Sequence, residues 1–312
     1  MSILCFSFFI NTLLSGCTTK EEKLTILFTG DMMLDRGTRK IIEHKGVDYL
    51  FEEVKPLFLN QDLVITNFEG TACDKGLTPS SKAFCFRTEP EWITSIKKNG
   101  ISAVCLSNNH SGDYGKIGLF QTAQYLNHNK IEAFGYNLKG DPCAPFVLEK
   151  NDIKLAVFGS SLLYEKDPAG SCHESDSILC RRVSIFKKGH PDFHIVLCLH
   201  WGIEMQGQPE TKQVQQAHSF IDAGVDLIIG HHPHVVQPIE KYKDRYIFYS
   251  LGNFIFDQEK SPGNKGILSS FSVTRSQIRL EEVIPFNIID SKPILMDLGE
   301  AKQFLKPFNH SL

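Results

Sequence analysis

Neither sign of charge is in excess in this sequence. The 33 Lys and Arg residues stand against 36 Asp and Glu, a formal charge of -3 at pH 7, so there is no broad basic field of the kind nucleic-acid binding requires. Repeats and low-complexity tracts are missing, and 42% hydrophobic with 22% charged residues is ordinary for a folded globular chain. There is no GxSxG elbow, which excludes the usual serine-hydrolase arrangement, and no GxxxxGK[ST] loop to cradle a nucleotide phosphate. No interdomain linker interrupts residues 24–308, so one domain is expected there, with 309–312 as a tail.

The N-terminus lacks Lys and Arg before Lys20, although signal peptides usually open with positive charge. Its apolar run, 3–14, is too short to span a membrane as a helix but suits the core of a signal peptide. Leu14-Ser15-Gly16-Cys17 resembles a bacterial lipobox. The expectation is a signal peptide over 1–16, lipidation of Cys17 and a polar tether over 17–23.

Nine cysteines fit an exported protein if some are paired. Cys73 with Cys85, and Cys172 with Cys180, are expected as loop disulfides. Cys105 and Cys198 lie in apolar strands and read as small core residues. Cys143 has no evident role.

What the chain does contain is a series of short apolar runs that each end in polar residues. Residues 24–28 lead into Thr29-Gly30-Asp31, 63–66 into Asn67-Phe68-Glu69, and 103–106 into Ser107-Asn108-Asn109-His110. Residues 193–199 lead into His200-Trp201-Gly202-Ile203-Glu204, and 227–229 into Gly230-His231-His232-Pro233-His234. Residues 246–250 lead into Leu251-Gly252-Asn253. Helical segments fall between them, at 38–44, 49–58, 91–99, 116–129 and 210–223, so βαβ units are expected. Such units put the C-terminal ends of parallel strands along one sheet edge, where the polar clusters converge. Residues 160–183 read as a polar insertion, 266–273 and 278–289 as an antiparallel pair, and 299–305 as a short helix.

Each polar residue also has a plainer reading. Asp31 suits a helix N-cap, Glu69 a solvated loop acid, His194 a packed core histidine, and Asn108, Gly112 and Gly115 a turn. That leaves Asn109, His110 and Asp113 as chemical candidates in their segment. His232 and His234, at i and i+2 in an extended stretch stiffened by Pro233, are expected to reach one point together.

Taken together, Asp31, Glu69, Asn109, His200, His232 and His234 mix carboxylate, amide and imidazole. That set suits one or two divalent ions such as Mn, Fe or Zn better than calcium or a thiolate-bound structural zinc. Asn67, His231, Glu204 and Asn253 are secondary candidates. Paired ions suit phosphoester hydrolysis, with His110 as the proton donor to the leaving group and Asp113 orienting it. A two-acid glycosidase built on Asp31 and Glu69 would leave the histidines unexplained.

The ordered motifs GDMML (30–34), NFEG (67–70), SNNHSGDYG (107–115), HWGIE (200–204), GHHPHVVQ (230–237) and SLGNFIFD (250–257) resemble the CapA or PgsA family of bacterial capsule and poly-gamma-glutamate synthesis proteins. The resemblance runs from about residue 24 to 308. It implies an α/β fold of the calcineurin-like metallophosphoesterase kind, a β-sandwich flanked by helices with metal ligands at the strand ends. It also implies attachment to the outer side of the cytoplasmic membrane through a lipid anchor, and a role in making, exporting or anchoring an anionic surface polymer, with that polymer or its precursor and membrane synthase subunits as partners.

By the same resemblance Asp31 corresponds to the first-strand ligand, Glu69 to the bridging acid, and Asn109 with His110 to the Asn-His pair. His200 corresponds to the lone strand-end histidine, and His232 with His234 to the His-x-His pair. The phosphoesterase pattern is broken at Met33, where it has His, and at Asn67-Phe68-Glu69, where it supplies Asp. Two readings follow: a metal-dependent hydrolase, or a non-catalytic polymer-binding or scaffold component of a synthase complex.

Overall fold

The strand Leu24–Met32 is buried at every position but one, the pattern of a strand covered on both faces. It pairs in parallel with Leu63–Phe68 and antiparallel with Lys265–Val273. Together they form the middle of a sheet whose order is Lys292–Leu295, Ile278–Ile289, Lys265–Val273, Leu24–Met32, Leu63–Phe68, Ala103–Cys105, Glu132–Phe134. Asn253–Ile255 pairs in parallel with the far end of Leu24–Met32. The structure is a computed structural model and describes residues 22–74, 77–137, 140–163 and 169–308. The signal-peptide, lipidation and C-terminal tail expectations fall outside these residues, apart from the last two positions of the tether.

A second sheet runs Ile239–Tyr242, Arg245–Phe248, Leu227–His231, His194–His200, Ile153–Ser161, Phe146–Lys150. Its four middle strands are parallel. The two sheets face each other across a shared core in which Ile26, Phe28, Ile65 and Cys105 meet Leu155, Val157, Val196, Cys198 and Ile229. Because side chains alternate along a strand, Leu27, Val64 and Val104 point the other way, onto Ile42, Phe51, Phe58, Ile96 and Leu126. On the opposite outside, Phe158, Leu197 and Ile228 pack against Leu179, Val183 and Phe220. A β-sandwich flanked by helices results, as the family resemblance implies. A buried side chain of Phe or Leu size contributes about 1.5–3 kcal/mol relative to exposure, so these three layers carry most of the fold's stability.

The predicted helices stand, with local differences. Residues 49–58 form a 3-10 turn, Val47–Phe51, then a separate helix, Lys55–Phe58, because Pro56 lies in its first turn and cannot continue an earlier one. Thr211–Ala223 is opened by a capping box between Glu210 and Gln213 and closed by Gly224 at φ 116°. The stretch read as a polar insertion contains the start of the helix Asp176–Gly189, which buries Leu179 and Val183 against the second sheet. His194 is a packed histidine, its Nε2 bonded to the carbonyl of Thr274 at 2.9 Å.

Both expected disulfides are replaced by one between Cys143 and Cys172. The return segment around Cys172 lies along the chain that follows Glu132–Phe134, with Cys172 N–H donating to Gly135 and Asn137 N–H to Gly170. That pairing puts Cys143 within reach. Cys180 sits instead on the Asp176–Gly189 helix, Cys73 is buried, and the Cys85 sulfur contacts Ser80. Among the described residues no helix is long and apolar enough to cross a membrane.

Candidate metal centre

Register brings the polar strand ends to one place. Asp31 is level with Asn67 on one side and Asn253 on the other, while His231 is level with His200 in the facing sheet. The approach of Leu24–Met32 to Asn253–Ile255 depends on Gly30, where a Cβ would collide with the carbonyl of Gly252.

Asp31 is fully buried. Its Oδ1 accepts from Asn67 Nδ2 at 2.8 Å and lies 3.3 Å from His231 Nδ1, and its Oδ2 lies 3.4 Å from His234 Nδ1. Burial alone would raise this carboxyl, but contact with His231 and His234 and their charge hold it well below the usual carboxylate range. Glu69 is the opposite case. Both of its oxygens are buried without a hydrogen-bond partner, and burial, reinforced by neighbouring carboxylates, pushes it up to about 8.

His234 Nε2 lies 3.7 Å from Glu69 Oε1. Burial would lower this imidazole, but the charges of Glu69 and Asp31 outweigh it and raise it to about 10. Ligand atoms of Asp31, Glu69 and His234 all lie within 4.8 Å of one another, and so do those of Glu204, His232 and His234. A buried acid with two unpartnered oxygens facing an imidazole and a second carboxylate fits a divalent cation, which would satisfy all of them at once.

The extended geometry expected for His232 and His234 does not hold, although their ligand atoms do come within 4.8 Å of each other, beside Glu204. The strand ends at His231, and the chain turns through φ 98° at His232 and φ 56° at His234, backbone states that cost about 1–3 kcal/mol each for residues with a side chain. The turn folds His234 onto Asp31 and Glu69 and sends His232 toward His200, their ring centroids 4.8 Å apart. The Nδ1 of His232 has no hydrogen-bond partner, and burial, then the charge of His234, lowers its pKa to about 4.

Both nitrogens of His200 are engaged. Asn67 Oδ1 accepts from Asn108, so its Nδ2 is the atom 3.3 Å from His200 Nδ1, and that nitrogen must accept. His200 Nε2 then donates to Asn109 Oδ1 at 2.8 Å. Burial and the neighbouring His232 hold His200 neutral, well below the ordinary imidazole range.

His110 and Asp113 form a second unit. Asp113 Oδ2 accepts from His110 Nδ1 at 2.8 Å and from the Phe86 N–H at 2.7 Å, and Oδ1 accepts from Lys82 at 3.0 Å. With Nδ1 donating, His110 turns Nε2 toward Glu69 Oε1, 3.8 Å away. Phe86 stacks on its ring at 4.0 Å. Met33 fills the first motif's third position with packing instead of a ligand: it is buried with Phe86 and Phe256, its sulfur 3.0 Å from the Asp35 N–H.

Two contributors, Asn108 and Lys82, escaped the sequence reading. Asn108, assigned to a turn, is a buried junction that donates to Asn67 and to the Phe68 carbonyl and accepts from the His110 N–H and Ser111. Lys82 comes from residues 71–87, a stretch rich in Ser, Thr, Pro and Lys in which the sequence singles out Phe84 and Phe86 as cover for a site but gives Lys82 no distinguishing mark.

A family model described as bacterial capsule synthesis protein PGA_cap matches residues 25–258. The chain is 31% identical to "Capsule biosynthesis protein CapA" of Bacillus anthracis over 88% of its length and 70% of that protein's. It is 32% identical to "PGA biosynthesis protein CapA" of Bacillus subtilis over 92% of its length and 77% of that protein's. Among solved structures it resembles a novel phosphatase from Mycoplasma pneumoniae, with TM-score 0.54 and 16% identity over 93% of this chain and 100% of that one. A putative 5'-nucleotidase from Staphylococcus aureus gives TM-score 0.54 and 16% identity over 92% and 58%. At these identities the structural likeness speaks for a metallophosphoesterase-like fold alone.

Proposed function

The chain belongs to the bacterial capsule synthesis protein PGA_cap family, and from that membership we propose that it is a metal-dependent hydrolase of the phosphoesterase type serving an anionic surface polymer. The observation that carries the hydrolase reading is Glu69, a buried acid with both oxygens unpartnered, whose Oε1 is faced by the Nε2 atoms of both His234 and His110. Asp31, Glu69 and His234 would hold one ion, of Mn, Fe or Zn, and Glu204 with His232 supplies the ligands nearest a second. When bound, the metal lowers the pKa of a coordinated water and neutralises charge on the bond being cleaved.

The remaining chemistry belongs to the chain's own residues. His110 presents an Nε2 proton toward the ligand cluster and passes it to the departing oxygen or nitrogen. Asp113 accepts from Nδ1, fixes the ring and stabilises its charge. The Phe86 ring covers one face of His110 and restricts water there.

The relatives' names place the reading in capsule or PGA biosynthesis, and the lipobox-like segment ending at Cys17 supports work on the outer side of the membrane, held by lipid beside synthase subunits. A non-catalytic polymer-binding or scaffold role is the second reading. It is favoured by Met33, which removes one expected ligand and packs as an apolar residue.

The test is turnover by the purified protein, loaded in turn with Mn, Fe and Zn, on a phosphodiester panel and on gamma-linked glutamyl peptides. Metal-dependent cleavage that is lost in His110→Ala supports the hydrolase. Metal binding without cleavage of any member gives the scaffold reading.

A further inference from the structure

Arg36 stands at φ 55°, a left-handed backbone state that glycine adopts freely and arginine does not. Its side chain is 43% exposed, yet it is held in place: Nε lies 3.1 Å from Asp257 Oδ2, which also accepts the Gly37 N–H at 3.0 Å. The guanidinium carbon sits 5.7 Å from the ring centroids of both Phe84 and Phe86. Phe86 is the ring that stacks on His110, so the guanidinium lies one aromatic ring away from the proposed proton donor.

With Nε committed to Asp257, the two terminal nitrogens of Arg36 have no hydrogen-bond partner among the described residues. Lys82, also near His110, is spent on Asp113 and the Asn109 carbonyl. A cleft of about 430 Å³ opens against Asp257, lined also by Met205, Gln258, Glu259 and Lys260. Met205 follows the candidate ligand Glu204, and Gln258 accepts from Asn253 at 2.9 Å, so the cleft borders the metal cluster. The fold thus keeps a strained residue where glycine would be cheaper, and leaves its two terminal nitrogens open beside the aromatic residues that cover His110.

We propose that Arg36 is the specificity residue for the acidic side groups of the substrate, its guanidinium fork binding a carboxylate of a glutamate-type polymer while Phe84 flanks the chain. This rests on the anionic-polymer reading of the site. A planar fork matches a carboxylate with two parallel hydrogen bonds, which the ammonium of lysine cannot reproduce.

The experiment is calorimetric titration of the purified protein with a short gamma-linked glutamate oligomer, its gamma-linked glutamine counterpart and inorganic phosphate. It is run on the wild type and on Arg36→Gln, Arg36→Lys and Arg36→Gly, with thermal melts alongside. The glutamate oligomer should bind the wild type and weaken about 10- to 100-fold in Arg36→Gln, with only partial recovery in Arg36→Lys. The glutamine oligomer should be indifferent to all three changes. Arg36→Gly, whose backbone is relaxed at this position, should melt cooperatively and still lose glutamate binding, which separates recognition from folding.

Equal glutamate binding by wild type and Arg36→Gln would overturn the role of Arg36 and leave the polymer reading standing. No glutamate binding by the wild type would overturn both. Arg36-dependent binding of phosphate with none of the glutamate oligomer would overturn the carboxylate assignment.

Discussion

Asn253 fixes the tautomer of His234. The Asn253 Nδ2 faces only acceptors, the Gly263 carbonyl at 2.8 Å, the side chain of Gln258 at 2.9 Å and, more distantly, the His234 carbonyl at 3.3 Å, and its two N–H groups are taken up there, so the atom 2.8 Å from His234 Nδ1 is its oxygen. His234 Nδ1 therefore carries a proton, and in the neutral ring Nε2 presents its lone pair toward Glu69, as a metal ligand must. Replacing Asn253 with alanine frees the ring without removing a ligand. The expected result is a roughly 10- to 100-fold loss of metal affinity, read by competition with a chromophoric chelator, with the fold retained by circular dichroism.

Metal binding should release protons. Glu69 is raised by burial, and His234, against its burial, by the charges of Glu69 and Asp31, so without a cation the pair stays protonated at pH 7, whereas a ligating carboxylate and imidazole must be proton-free. Affinity should rise as pH increases from 6 toward 8, the direction in which Glu69 ionises, and fall as pH drops. Calorimetry in buffers of different ionisation enthalpy measures the release directly. About one to two protons are expected per ion, and zero would show that the cation binds elsewhere.

If the site turns over substrate, His110→Ala should cost about 10²–10⁴ in kcat. Asp113→Asn should act in the same direction, because the amide oxygen can keep the bonds to the Phe86 N–H and His110 Nδ1 but no longer supplies the negative charge that supports a proton-donating ring. Both variants should keep their metal, since neither residue is within the ligand cluster. A His110→Ala protein with unchanged turnover would remove that residue from proton transfer.

The Cys143–Cys172 disulfide closes a separation of 29 residues, and such a loop is worth about 3–4 kcal/mol through the unfolded chain. Cys143→Ser should therefore lower the melting temperature by several degrees. Reductant should shift the wild type by a similar amount and leave the variant unmoved. Cys180→Ser should have little effect, because that sulfur is unpaired.

How much of this was legible in the sequence follows from the range of the interactions. Strand ends carrying Asp31, Glu69, His200 and His231 were readable because each follows a buried apolar run, and parallel topology then gathers them. The Asp176–Gly189 helix was hidden because only Leu179 and Val183 of its residues are buried, too sparse a stripe to stand out within a polar stretch. The Cys143–Cys172 pairing depends on a contact between distant loops that spacing does not encode. Asn108 and Asn253 look like turn and strand-end residues, and only their partners in space reveal a hydrogen-bond junction and a tautomer lock. The left-handed turn at His232 and His234 likewise lay beyond a period-two reading.

The central claim is that Asp31, Glu69 and His234 hold a divalent ion. Elemental analysis of the purified protein, compared with Glu69→Ala and His234→Ala variants that melt cooperatively, tests it most directly. The account predicts near-stoichiometric Mn, Fe or Zn in the wild type and a large loss in both variants. Wild-type protein that takes up none of these ions at pH 8, even when each is supplied in excess, would contradict it.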